Sequence, residues 1–178
     1  NKARYMSKFK GSIVVGDSVT EGLSVYGWLS DDQVFSKIGS SVMTGDDLFS
    51  SAAGTYPSTA FFAFGMNDMG NYRGDEKAFI KKYAARLKAF HKASPKTKIC
   101  VCGISAPTDS AMAKNKSISN YKKFNSAIKK MCAKNKYVYI PTADILQKHP
   151  ELYAGDGIHA QAAYYPYWLD RMIEEAEL

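Results

Sequence analysis

The sequence predicts a three-layer α/β/α sandwich built on a parallel sheet, and three observations predict it. Apolar runs of strand length recur along the chain, stretches of helical periodicity separate them, and no repeat, low-complexity tract or linker breaks the alternation. At 178 residues with 46% hydrophobic content, the chain is the size of one domain and can bury about two-thirds of the surface its unfolded form exposes.

The first strand is expected at 12–15, where "SIVV" runs into Gly16-Asp17-Ser18 and resumes as a helix. The second is expected at 33–38, followed by "GSSVMTGDD", whose acidic residues after Gly45 suit a helix N-terminus. The third, 59–64, ends at Gly65-Met66-Asn67-Asp68. Phe79, Ile80, Tyr83, Leu87 and Phe90 then recur on one face of a long helix. A fourth strand at 98–103 and a fifth at 137–140 bracket a helix marked by Ile118, Tyr121, Ile128, Met131 and Cys132. Tyr165, Trp168, Leu169, Met172, Ile173 and Ala176 mark the last helix. In such sheets ligands bind beyond the C-terminal ends of the strands. The segments to inspect are therefore 16–18, 39–41, 65–68 and 105–109, together with "AGDGIHA" ahead of the last helix.

Composition excludes several classes. The longest apolar run, 60–65, falls far short of the roughly 18–20 residues of a membrane span. The net charge of +7 comes from 24 Lys and Arg against 17 Asp and Glu. Those lysines fall on outer helix faces, as in "KAFIKKYAARLKAF" and "NYKKFNSAIKKM", with no basic stripe interleaved with aromatics, so no nucleic-acid partner is expected. Three cysteines cannot form a complete disulfide framework. Cys100 and Cys102 share one strand face at a separation poorly suited to a bridge, Cys132 lies on an apolar helix face, and all three read as small buried hydrophobes. No histidine cluster accompanies them, so no metal site is expected.

Nucleophilic catalysis by a serine needs a base and a group to orient it. His159 stands three residues after Asp156 in "DGIH", close enough for one turn to set carboxylate beside imidazole. His91 ends a long helix, where a positive charge is favoured, and His149 precedes Pro150 in a polar connector. Acyl transfer also needs donors aimed at the developing oxyanion. Gly39, expected directly after the second strand, offers an unobstructed N–H; Asn67 offers an amide; Ser18, at the head of a helix, offers its own N–H. A stated three-residue motif arises by chance in about 2% of chains this long, whereas D-x-x-H is common. All of them in this order at strand ends are expected in well under roughly one chain in a thousand.

The set Gly16-Asp17-Ser18, Gly39, Gly65-x-Asn67-Asp68 and Asp156-x-x-His159 resembles the four blocks of the SGNH hydrolases, the GDSL-type esterases and lipases, over nearly the whole chain. The resemblance implies a flavodoxin-like sandwich with a five-stranded parallel sheet. It implies Ser18 as nucleophile, His159 as general base and acid, Asp156 as its orienting partner, and Ser18 N–H, Gly39 N–H and the Asn67 side chain as the oxyanion hole. No metal or organic cofactor is implied. Two departures stand out: the first block reads G-D-S-V rather than G-D-S-L, and the second offers both Gly39 and Gly45, of which Gly39 is preferred because it follows the strand.

Short strand-to-helix connections leave no insertion for an acyl tunnel, which favours a small acyl group on a polar carrier. Tyr164 and Tyr167, beside the core-facing Tyr165 and Trp168, are expected sugar contacts, with Asp17 as a further substrate contact. The expectation is a serine esterase removing acetyl-sized groups from a carbohydrate or cell-wall glycan, and acting as a monomer. The alternatives are a lysophospholipase or acyl-thioesterase of the same fold and, in a different class, a catalytically silent glycan-binding domain. A chain opening at Asn1 and a glycan substrate set the expectation of export to the cell surface or medium. Three unpaired cysteines would suit the cytoplasm instead.

Overall fold

The computed structural model describes residues 1–178. Five strands, β1 (Ser12–Gly16), β2 (Val34–Ser36), β3 (Thr59–Ala63), β4 (Lys98–Cys102) and β5 (Val138–Ile140), form one sheet in the order β2-β1-β3-β4-β5. Every pairing is parallel, with Val14 beside Val34 on one side and Phe61 on the other. The expected strands are all present with small shifts at their ends. The second differs most, because Gln33 closes a 3₁₀ turn (Asp31–Gln33) and its side-chain amide donates to the carbonyls of Phe9 and Ser12. The ladder ends at Ser36, so Lys37 and Ile38 belong to the turn that follows.

Nine α-helices cover the sheet: α1 (Lys2–Lys8), α2 (Ser18–Val25), α3 (Asp46–Ala53), α4 (Met66–Asn71), α5 (Glu76–Ala93), α6 (Asp109–Lys114), α7 (Tyr121–Asn135), α8 (Ala143–Lys148) and α9 (Tyr165–Ala176). Helices α1, α4, α6 and α8 span six or seven residues, too few to show a period, and were not expected from the sequence. Ile118, expected on one helix with Tyr121, sits in a separate 3₁₀ turn (Lys116–Asn120).

The two-residue period of the strands divides the core into two layers. Ile13, Val15, Ala60, Phe62, Ile99 and Val101 face α3, α5 and α7, while Val14, Phe61, Cys100, Cys102 and Ile140 face α1, α2, α8 and α9. Phe49, Phe62 and Phe90 pack ring against ring in the first layer, and each fully buried Phe stabilises the fold by roughly 1.5–3 kcal/mol. All three cysteines are free and buried, and burial pushes the Cys100 and Cys132 thiols up to about 12. No helix is long and apolar enough to cross a membrane.

Helix α2 meets α9 at Gly22, where an added Cβ would stand 2.0 Å from the Tyr165 hydroxyl, which itself donates to the Val19 carbonyl at 2.6 Å. In a solvated helix Gly→Ala stabilises by up to about 1 kcal/mol. Here Gly22→Ala is expected to destabilise by about 1–3 kcal/mol through overpacking, a reversal of sign that urea denaturation measures directly.

Candidate active site

Strand β1 leaves the sheet at Gly16, where a side chain would meet Thr20 Oγ1 at 2.2 Å and the Ala63 carbonyl at 2.5 Å. The chain therefore turns at once into α2, with Asp17 capping it by accepting the Val19 N–H at 3.1 Å. Ser18 is the first residue of that helix, so its N–H has no helical acceptor. Strand β3 leaves through Gly65 at φ +137, a conformation and a contact with Ile104 that only glycine fits, and places Asn67 in the first turn of α4.

The third component arrives from the segment before α9. His159 Nε2 lies 2.9 Å from Ser18 Oγ, and His159 Nδ1 lies 2.5 Å from Asp156 Oδ2. The other Asp156 oxygen accepts the backbone N–H groups of Ile158 and His159 at 2.9 and 2.8 Å, so the carboxylate and the imidazole are held as one turn. With Nδ1–H donating to the carboxylate, Nε2 presents its lone pair to the serine O–H. The 105–109 segment buttresses this loop: Thr108 N–H donates to the Gly157 carbonyl at 2.9 Å, and the Tyr153 hydroxyl donates to the Ala106 carbonyl at 2.6 Å.

Asn67 Nδ2 donates to the Ser40 carbonyl at 2.9 Å. That bond uses one of two amide hydrogens and fixes the plane of the other. The Ser40 hydroxyl in turn donates to the Gly16 carbonyl at 3.1 Å, tying the second strand-end loop to the first. Beneath Asn67, the buried Asp68 accepts the Val42 N–H at 2.9 Å with one oxygen, and its other oxygen has no partner. Arg86 grips the same loop from α5, donating to the Val42 and Met43 carbonyls and pairing with Asp46.

Burial acts on the three carboxyls with different results. It raises Asp156, but the hydrogen bonds from His159 and from two N–H groups pull it further the other way, leaving it below its ordinary value. Burial prevails at Asp17, pushed up to about 6 against the Val19 N–H bond and the His159 ring. It prevails again at Asp68, pushed up to about 7 with the charge of Asp17 adding to it.

Ser18, Asn67 and His159 open on a cleft of about 210 Å³ walled by Met66, Ile118 and Ile158, with Gly70, Asn115 and Ser117 at its rim. Four of the expected residues thus come together as one relay with an amide beside it, and four do not behave as expected. Gly39 stands three positions beyond the end of β2, at φ +78, and lines an adjoining hollow with Lys37 and Leu48 rather than the cleft. Its N–H has no acceptor in the protein. Tyr164 is 1% exposed in the second core layer, packed on Tyr165 and Trp168, and cannot meet a sugar. Tyr167 is 45% exposed but stacks on His149 with ring centroids 4.3 Å apart, outside the cleft lining. Asp17 borders the cleft, yet its carboxyl is buried and serves as a helix cap. Asn115, Ser117 and Ile118 were missed, since a 3₁₀ turn after a one-turn-and-a-half helix carries no periodic signal. No three His, Cys, Asp or Glu side chains converge to hold a metal ion.

A hydroxyl, an imidazole and a carboxylate in this order, at the carboxyl edge of a parallel sheet, make the arrangement of an SGNH-type ester hydrolase. A family model described as GDSL-like lipase/acylhydrolase matches residues 14–165, and the chain belongs to that family of carboxylic ester hydrolases. No curated protein matches the sequence. Among solved structures, the fold is similar to a GDSL-like lipase from Parabacteroides merdae (TM-score 0.75, 15% identity, 93% of this chain and 94% of that one). It is similar as well to the acetyl xylan esterase AlAXEase (TM-score 0.70, 19% identity, 92% and 98%). A carbohydrate esterase family 3 structure from Talaromyces cellulolyticus also matches (TM-score 0.70, 14% identity, 93% and 95%).

Two outcomes follow from this geometry. Asp156→Asn keeps the turn but reverses the His159 tautomer, and is expected to lower kcat by about 10³–10⁴ with little change in KM, read with 4-nitrophenyl acetate. Asp17 and Asp68 have raised folded-state pKa values, so their contribution to stability is full below about 4 and is lost as pH rises through about 6 and about 7. Asp156 and Asp144 are shifted downward and act below that window. Urea denaturation should show stability falling between about pH 4 and pH 7, by at most about 1.4 kcal/mol per pH unit for each carboxyl. Asp68→Asn should flatten that slope.

Proposed function

We propose that the protein is a serine esterase that removes small acyl groups, chiefly acetyl, from a carbohydrate. The observation that carries the reading is the Ser18–His159–Asp156 relay at 2.9 and 2.5 Å opening on a cleft of only about 210 Å³. That volume lies below the roughly 300–1,000 Å³ typical of sites for drug-sized ligands. With Met66, Ile118 and Ile158 as walls, it fits an acetyl group and part of its alcohol, which favours a small acyl group over a long chain. The acetyl xylan esterase and carbohydrate esterase among its structural neighbours support the same acyl and carrier class.

In this reading Ser18 Oγ attacks the ester carbonyl carbon while His159 Nε2 takes the serine proton. The Asp156 carboxylate holds the imidazole in the required tautomer and stabilises its protonated form. Negative charge on the carbonyl oxygen is met by the Ser18 N–H and the second Asn67 amide hydrogen. As the tetrahedral intermediate collapses, the sugar oxygen leaves with the proton from His159. Water then gives a proton to His159 and attacks the acyl-serine. Acetate departs and the proton returns to Ser18.

The test is a panel of acetyl, butyryl and octanoyl 4-nitrophenyl esters on the native enzyme and Ser18→Ala. We expect kcat/KM to fall at least tenfold from acetyl to octanoyl, and Ser18→Ala to lose at least 10³-fold. Hydrolysis that survives the substitution would remove Ser18 as nucleophile. Rates that rise with chain length would instead favour a lysophospholipase or thioesterase, and failure to react with a fluorophosphonate probe a silent binding domain.

A further inference from the structure

Helices α5 and α7 lie side by side over one face of the sheet and hold the chain's surplus positive charge. Together they carry eleven Lys and Arg, six on α5 and five on α7, against one acidic side chain, Glu76. The whole chain nets +7, so everything outside these two helices is acidic on balance. Arg86 is buried against Asp46, and Lys123 pairs with Glu76 at 3.4 Å. Lys77, Lys81, Lys130 and Lys134 have no acidic partner. Lys77 and Lys81 stand one turn apart, as do Lys130 and Lys134, an arrangement in which like charges repel within a helix. All four, with Lys123, line a groove of about 770 Å³ between the helices, together with Ile80, Ala84, Ala127 and Met131.

The position of this groove relates it to the catalytic cleft. The cleft rim includes Gly70 and Ser117, and the groove begins at Glu76 and Lys123, six residues further along each of the same two chain segments. A polymer long enough to span those six residues can engage Ser18 and the space between α5 and α7 together. Its shape and chemistry select among anionic partners. A concave channel suits a chain rather than a flat lipid surface. No aromatic side chain lines it, so it lacks the stacking platform of a single-stranded nucleic acid. It holds lysines without an arginine fork, separate point charges along the groove that a polymer with one carboxylate per repeat can meet one at a time.

We propose that the α5–α7 groove docks a carboxylate-bearing polysaccharide, the carrier of the ester cleaved at Ser18; the second half of this statement rests on the esterase reading, the first does not. Opposite charge along the groove raises the local concentration of such a chain and holds it while its acyl groups pass the cleft. The affinity is electrostatic and therefore salt-sensitive.

The experiment measures binding of polygalacturonate to the native protein and to the triple variant Lys81→Gln/Lys130→Gln/Lys134→Gln, with 4-nitrophenyl acetate hydrolysis followed in parallel. The variant is expected to bind at least tenfold more weakly while its small-ester kcat/KM stays within twofold. A control, Lys8→Gln/Lys10→Gln/Lys37→Gln, is expected to retain binding at matched net charge. Native binding is expected to weaken sharply between 50 and 300 mM salt. Equal binding by the groove variant, or equal loss in the control, overturns the proposal. So does binding of polyphosphate, single-stranded DNA or phosphatidylglycerol vesicles as tight as that of polygalacturonate. Binding needs no turnover, so a failed esterase reading appears only in the ester assay and a failed groove only in the binding assay.

Discussion

At Gly16 there is no room for a side chain, and the site is organised around that constraint. The backbone there lies against the Ala63 carbonyl of β3 and Thr20 of α2, and its own carbonyl accepts the Ser40 hydroxyl from the loop after β2. Three strand ends thus meet at one peptide. Ser18 is held two residues later at the head of a helix whose cap is the buried Asp17. A larger residue at this position would separate β1 from β3 and move the Ser18 hydroxyl relative to the Asn67 amide that follows β3.

The second strand-end loop is clamped from both sides. Asp68 takes the Val42 N–H, while Arg86 donates to the carbonyls of Val42 and Met43. The peptides around Ser40 are consequently set by groups buried in the core, although Gly39 itself faces an open hollow. The clamp has a cost, since a fully buried carboxyl with one unpartnered oxygen is unfavourable when ionised. Keeping the cost at Asp68 rather than at the surface secures a backbone with otherwise little regular structure.

Much of the fold was legible because its signals are local. The apolar runs in "SIVV", "TAFF" and "KICVC" marked the three central strands, and the shared face expected for Cys100 and Cys102 is the one they occupy in the second core layer. Ser18, Asn67, Asp156 and His159 were legible because their partners lie within a few residues of a strand end or, for Asp156 and His159, within one turn. Gly39 was harder, because the edge strand β2 stops three residues before it and exposed edge residues carry a weak pattern. Tyr164 was misassigned because a 3₁₀ turn (Ala162–Tyr164) precedes α9 and shifts the helical phase, turning its ring into the core. Tyr167 lies on the outer face as the period requires, but its surface is occupied by His149.

The least legible elements are those that shape the cleft. The relay depends on Gly16, Asp17 and the Asp156–His159 turn, where nearly every substitution meets backbone or breaks a hydrogen bond. The cleft walls come from Met66 of α4, from Ile118 in the 115–118 segment and from Ile158 within the Asp156–His159 turn. Ile118 and Met66 can change in size without moving Ser18 toward or away from His159, since neither takes part in the bonds that hold those residues. The bonds that hold Ser18 beside His159 and the Met66 and Ile118 side chains that wall the cleft are therefore physically separable in this fold: the first depend on the meeting of three strand ends, the second on two short segments that pack against it.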